Sequence, residues 1–367
     1  MPHATLSESD VAACDRSDMA ALIASWPAQI QAQRVALAAR PWPALPAPTL
    51  LAVGGMGGSA IASDLVFALA ADRLPFPTLV CRDYAWPAAV RPGALAVLSS
   101  YSGNTEETLA LYDEAKARGV ARLAITTGGE LARRCEADGT PWRAVPAGLP
   151  PRAALGYSVV SLSLVLEALG DPGFGDAAWA EAQAVAAGLG ARCAPDRPEA
   201  ENPAKSLARA VVGRAVCVYG GVGLAAPVAR RWKGQFHENA KTLAFDAVVP
   251  EMNHNEIVGW QALADLHPRF AVILLRDLAE SPALARRMAV TRAILEDEDV
   301  GVHEVRSIGA SPLARLVSLV VLGDWTSLYV AVLAGVDPTP IMKIDRLKAA
   351  LASAGDAGPG HTEATPR

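Results

Sequence analysis

At 367 residues, 51% of them apolar, the chain is long enough for two domains with separate cores, while no uninterrupted apolar run approaches the roughly 20 residues of a membrane span. A net charge of −5 without a basic block argues against nucleic acid or an anionic membrane as the main partner. Five dispersed cysteines (14, 81, 135, 193 and 217) with no C-x-x-C pair suit a reducing cytoplasm and carry no metal signal.

In chain order, the first residues offer neither a basic n-region nor an apolar h-region, so no signal peptide is expected. Met19, Leu22, Ile23, Trp26 and Ile30 recur at helical spacing, and the Pro-rich run 41–48 ends that pattern. A βα rhythm follows. Strands are predicted at 49–53, 77–81, 94–98, 121–126 and 142–145, with helices at 59–69, 105–118 and 131–136 between them. A long apolar helix at 158–169 and a Gly/Pro/Ala-rich helical linker lead to about Pro203. A second series then begins, with strands at 215–219, 270–275 and 303–306 and helices at 225–240, 283–295 and 311–333. Strands alternating with helices imply parallel sheets covered by helices. Ala52-Val-Gly-Gly-Met-Gly-Gly-Ser-Ala60 echoes Cys217-Val-Tyr-Gly-Gly-Val-Gly-Leu-Ala225, which suggests duplication. The Gly/Pro/polar end of the chain reads as a disordered tail.

Four stretches carry chemistry. In Ser100-Tyr-Ser-Gly-Asn-Thr105 the hydroxyls of Ser100, Ser102 and Thr105 sit on a strand-to-helix turn, where free backbone N–H groups and a helix N-terminus favour a phosphate. One N-cap needs one such side chain, and the absence of a P-loop lysine points to a small phosphate monoester rather than a nucleoside triphosphate. Gly54-Gly-Met-Gly-Gly-Ser-Ala60 contains G-x-G-x-x-A, and Asp83 follows the next strand, but a dehydrogenase would leave the Ser loop unexplained. Gly57, Gly58 and Ser59 therefore read as a wall that lets a phosphosugar approach the backbone closely. Arg152 lies between prolines and an apolar helix, either as a surface cap or as a fixed positive charge near the ligand. Polar residues crowd at 231–241 and 249–257, where Glu238 and His254 suit proton abstraction beside a carbonyl. A metal held by His237, Glu238, His254 and Glu256 competes, although H-E-x-x-H spacing is absent. A solvated helix face accounts for Lys233 and Lys241.

Ser100-Tyr-Ser-Gly-Asn-Thr105, Gly55-Met-Gly-Gly-Ser59, Pro151-Arg-Ala-Ala-Leu-Gly156, His237-Glu-Asn-Ala-Lys241 and Pro250-Glu-Met-Asn-His-Asn-Glu-Ile257 together resemble the bifunctional phosphoglucose/phosphomannose isomerases, members of the sugar isomerase (SIS) group. The resemblance covers roughly 45–350 and implies an α/β fold of two SIS-type domains, each a parallel sheet covered by helices. The expected division is a helical segment 1–45, domains 46–157 and 204–350, a helical linker 158–203 and a tail 351–367. It further implies a cytoplasmic homodimer with shared active sites. That dimer would interconvert glucose 6-phosphate or mannose 6-phosphate with fructose 6-phosphate through an enediolate, with no metal and no cofactor. Ser59, Ser100, Ser102 and Thr105 would hold the phosphate, Glu238 would shuttle the proton, and Arg152 would steady the enediolate. His254, from the other subunit, would open the ring. Lys348, with Lys343 as rival, would assist it. A non-catalytic SIS module that senses sugar phosphates is the alternative.

Overall fold

The computed structural model describes residues 5–262 and 264–355. Three short helices open it, α1 (Glu8–Cys14), α2 (Met19–Ala24) and α3 (Trp26–Ala39). The first βα series is β1 (Leu51–Gly55), α4 (Gly57–Ala70), β2 (Thr78–Cys81), β3 (Leu95–Ser100), α5 (Glu106–Ala117), β4 (Ala121–Thr126), α6 (Gly129–Asp138) and β5 (Trp142–Ala144). Helices α7 (Leu155–Ala168), α8 (Gly175–Arg192) and α9 (Pro203–Val211) lead to the second series. That series is β6 (Ala215–Gly221), α10 (Ala225–Glu238), β7 (Ala244–Val249), β8 (Phe270–Arg276), α11 (Pro282–Asp297), β9 (Gly301–Arg306), α12 (Pro312–Ala334) and α13 (Met342–Gly355).

Both sheets are wholly parallel. The first has the order β2-β1-β3-β4-β5 and the second β7-β6-β8-β9, the same order less one edge strand, as a duplication would leave. The two-residue period of each strand divides its side chains between two cores. In the first sheet Leu51, Val53, Val97 and Ile125 face a central cluster, while Ala52, Leu98 and Ala124 meet Leu111 and Tyr112 of α5 and Leu131 of α6 on the outside. In the second, Val216, Val218 and Ile273 face the same central cluster, and Cys217, Tyr219 and Leu274 meet Leu284 and Met288 of α11. One layer of helices thus lies between two sheets. Each fully buried Leu, Val or Ile there contributes about 1.5–3 kcal/mol.

Helix α12 is the spine of that layer. Among the described residues it alone is long and apolar enough to cross a membrane by length and composition, but 89% of its most apolar window is buried inside the protein. It packs against α8, α9 and α10, and the buried Asp324 in its middle meets Arg231.

Three expectations change. Strand β7 was not anticipated at 244–249, because an edge strand carrying exposed Phe245 and charged Asp246 lacks an apolar run. Asp246 is instead tied to Lys233 and Arg230 of α10. The expected tail begins later than 351, since α13 continues to Gly355, and its remainder lies outside the described residues. The linker 158–203 is packed helix, with Trp179, Ala182, Ala186 and Leu189 of α8 in the central cluster.

Candidate active site

Strands β1 and β3 are neighbours, with Gly55 opposite Ser99, so the two loops expected to bind phosphate leave the sheet side by side at its carboxyl edge. After β3 the chain turns tightly. Gly103 has φ +70, and a Cβ there would lie 1.9 Å from the Gly128 carbonyl oxygen, so the position admits glycine alone. This close approach anchors the loop on α6. Leu131 N donates to Gly103 O at 2.9 Å and Glu130 N to Asn104 Oδ1 at 3.0 Å. The Ser100 and Thr105 hydroxyls share a hydrogen bond of 2.8 Å, Gly103 N donates to Ser100 Oγ at 3.1 Å, and Asn104 N donates to Ser102 Oγ at 3.2 Å. Thr105 precedes α5 without using its side chain as a cap. The first-turn N–H groups of α5 are therefore open to an anion from outside, although Glu106 and Glu107 already occupy that turn.

The glycine wall divides its work differently from expectation. Gly57 adopts φ +50 and a Cβ there would meet open space, whereas a Cβ on Gly58 would lie 3.1 Å from Pro151 O. Gly58 thus also leaves room for the Pro151–Ala153 turn packed against it. Ser59 is buried in the first turn of α4.

That turn presents Arg152, 3% exposed, which removes the reading of a surface cap. Four of its five N–H donors are engaged. Nε donates to Asn239 Oδ1 at 2.6 Å, Nη1 to Glu238 Oε2 at 3.2 Å, and Nη2 to the carbonyls of Pro338 and Thr339, both at 2.9 Å. Burial pulls the guanidinium below its ordinary value, and Glu238 opposes the pull. Behind it, Arg231 Nη2 donates to Arg152 O at 2.7 Å and pairs with Asp324 at 3.0 Å. Asn239 Nδ2 donates to Ser327 Oγ of α12 at 2.9 Å. Tyr101 connects the phosphate loop to this turn, donating to Pro146 O at 2.8 Å and accepting from Leu149 N at 2.9 Å. Glu238 ends α10 with its side chain about one-third exposed (32%), so a partly open carboxylate lies against a buried cation.

Sequence reasoning misplaced Lys241. Its ammonium donates to Glu238 O at 2.6 Å and Pro338 O at 2.9 Å, so it belongs to this cluster and not to a solvated helix face. The three-residue offset from Glu238 was the available signal, overlooked because a lysine after a helix usually reaches solvent.

His254 is not brought to Glu238 within one chain. Glu238 lies at the amino edge of the second sheet, just before β7 begins. His254 follows the other end of β7, exposed in the turn Glu251–His254, and a six-residue strand spans on the order of 20 Å. Lys343 and Lys348 are exposed on α13, with no hydrogen bond to any of these groups among the described residues. The four residues of the metal reading diverge. His237 engages the Ala244 backbone, Glu238 meets Arg152, Glu256 accepts from Tyr219 OH at 2.7 Å, and His254 stands exposed.

Comparison with known proteins gives the family. Residues 200–351 match the bacterial phospho-glucose isomerase C-terminal SIS domain. The bifunctional phosphoglucose/phosphomannose isomerase of Caldicellulosiruptor bescii is 42% identical over 304 residues, covering 83% of this chain and 90% of the relative. That of Aquifex aeolicus is 36% identical, covering 80% and 88%. A hypothetical protein of Thermus thermophilus shares the fold at 17% identity, with a TM-score of 0.71 over 93% of this chain and 91% of that one. The chain belongs to the bifunctional phosphoglucose/phosphomannose isomerase family.

Proposed function

We propose that this chain is a sugar-phosphate isomerase that interconverts glucose 6-phosphate or mannose 6-phosphate with fructose 6-phosphate through an enediolate, without a metal. The carrying observation is the contact of the buried Arg152 with the partly open Glu238; Arg152 sits on a turn packed against Gly58, which follows β1, the strand beside β3. In this reading Ser59, Ser100, Ser102 and Thr105 hold the phosphate, aided by the first turn of α5. Glu238 takes the proton from C2 of the open-chain aldose and returns it to C1. Arg152, fixed by four acceptors, offers a preorganised positive charge to the enediolate oxygen. A sensing module would have no use for such a pair.

The division into domains 46–157 and 204–350 is part of the same proposal, as is a homodimer. The opposite placement of Glu238 and His254 favours His254 of the partner subunit as the ring-opening group. Helix α13 exposes Met342, Ile344, Leu347 and Leu351, an apolar stripe that a second copy would cover while bringing in Lys348 or Lys343. All five cysteines are free, which supports a cytoplasmic setting.

A coupled assay that follows glucose 6-phosphate and mannose 6-phosphate separately tests this. Glu238→Gln keeps an oxygen acceptor for Arg152 but cannot take a proton, so kcat should fall about 10²–10⁴-fold with KM and Tm near those of the parent. A parental kcat would remove Glu238 as base. Dialysis of the parent against EDTA should leave its rate unchanged; a loss restored by zinc would overturn metal independence.

A further inference from the structure

The end of α10 lacks the glycine that closes several other helices of the molecule; α11 also lacks it, but is followed by Asp299 (φ +58), a residue type that tolerates this conformation. Helices α5, α6 and α12 are followed by Gly119, Gly139 and Gly335, all with positive φ, where the lack of a Cβ makes the left-handed conformation easy. After α10 the left-handed residue is Lys241, with φ +53. A long side chain in that conformation is strained, and the backbone gives a reason for the conformation but none for a lysine. Thr242 N closes the turn on Phe236 O at 3.0 Å, a bond that any residue at 241 would permit.

The reason lies in where the conformation sends the ammonium. Lys241 is exposed as a residue, yet its Nζ turns back to Glu238 O at 2.6 Å and crosses to Pro338 O at 2.9 Å. Pro338 O is also the acceptor of Arg152 Nη2 at 2.9 Å. One carbonyl therefore joins the helix end that carries Glu238 to the arginine that faces it. We propose that Lys241 is a positioning residue of the active site, clamping the end of α10 to the 337–339 segment so that Glu238 and Arg152 keep their mutual geometry. This rests on the reading of Glu238 as base. Burial and the nearby Arg152 charge pull the ammonium down to about 8, while Asp337, Glu238 and Cys14 pull it up. The clamp thus loses its charge on the alkaline side of neutrality.

The test compares Lys241→Gly and Lys241→Asn with the parent, with Glu238→Gln as reference. Both substitutes accept a left-handed backbone without an ammonium group. The clamp predicts Tm at or above the parental value for Lys241→Gly and kcat lower on the order of 10²-fold in both, the loss typical of a misplacement of about 1 Å. KM should stay close to the parental value. The parental kcat should decline with an apparent pKa near 8, and this limb should vanish in both variants. A folded Lys241 variant with parental kcat and an intact alkaline limb would overturn the clamp while leaving Glu238 as base, provided Glu238→Gln is inactive. If Glu238→Gln is fully active, the base and the clamp fall together. Failure of both Lys241 variants to fold would make the residue structural and overturn the clamp as well.

Discussion

The two sheets share a strand order, but their carboxyl edges have opposite characters. In the first, the loops after β1 and β3 bring hydroxyls, a left-handed glycine and an open helix N-terminus to one point. In the second, the corresponding strands β6 and β8 are also neighbours, with Gly220 opposite Leu275. There the space after β8 is filled from within. Buried Arg276 binds Glu280 and donates to Glu304 at 2.9 Å, while Asp277 accepts from Arg315 and Ser307 at 2.8 Å each. After β8 a carboxylate of the chain, Asp277, takes its own hydrogen bonds from the chain, whereas the turn after β3 bonds mainly within itself. In the proposed reading the second sheet instead serves the site from its amino edge, through Glu238 and Lys241 at the end of α10. Topology repeats, and the residues after the strands decide the chemistry.

Removing the internal cation of the second sheet gives the largest effect. Arg276→Met leaves Glu280 unpaired at low exposure and Glu304 with Arg306 alone, so urea denaturation should show a loss of about 3–5 kcal/mol. Its kcat and KM at permissive temperature should match the parent, and a large KM increase would mean that the second edge also binds substrate. Next, Ser102→Ala combined with Thr105→Ala should weaken fructose 6-phosphate binding by about 2–3 kcal/mol in calorimetry, since hydrogen bonds to a charged group are each worth about 1.5–3 kcal/mol and water replaces part of them. Stability should barely change, because Ser102 is exposed and Thr105 only half-buried, so water replaces their bonds within the loop; unchanged affinity would move the phosphate elsewhere. The smallest effect is a pH slope. Lys241 titrates near 8 in the folded chain against an ordinary 10.5. Between these values the unfolded chain binds the proton that the folded one has released, so stability rises with pH there. The unfolding free energy of the parent relative to Lys241→Met should climb from about pH 8 upward; a flat difference would show an ordinary exposed lysine.

Legibility in the sequence followed the range of the interactions. The strand-turn-helix unit at 94–118 was readable because a buried strand, a Ser/Gly turn and an amphipathic helix are all local there. Both parallel sheets followed from the alternation of such units. Arg152 was ambiguous because its burial depends on Asn239, Pro338 and Thr339, far along the chain. The packing of Pro151 O on Gly58 was hidden because it is equally remote in sequence. β7 escaped notice because its charges are balanced by α10 and not by its own pattern. Lys241 escaped because its conformation, not its residue type, directs it inward.

The most direct test of Glu238 as the shared base is the exchange of the C2 hydrogen with solvent deuterium, followed by NMR in glucose 6-phosphate and mannose 6-phosphate. The two sugars differ only in the face of C2 that carries the proton. In Glu238→Gln the exchange should fall by about 10²–10⁴ and by a similar factor for both. Exchange at the parental rate in either sugar would show that another residue removes the proton.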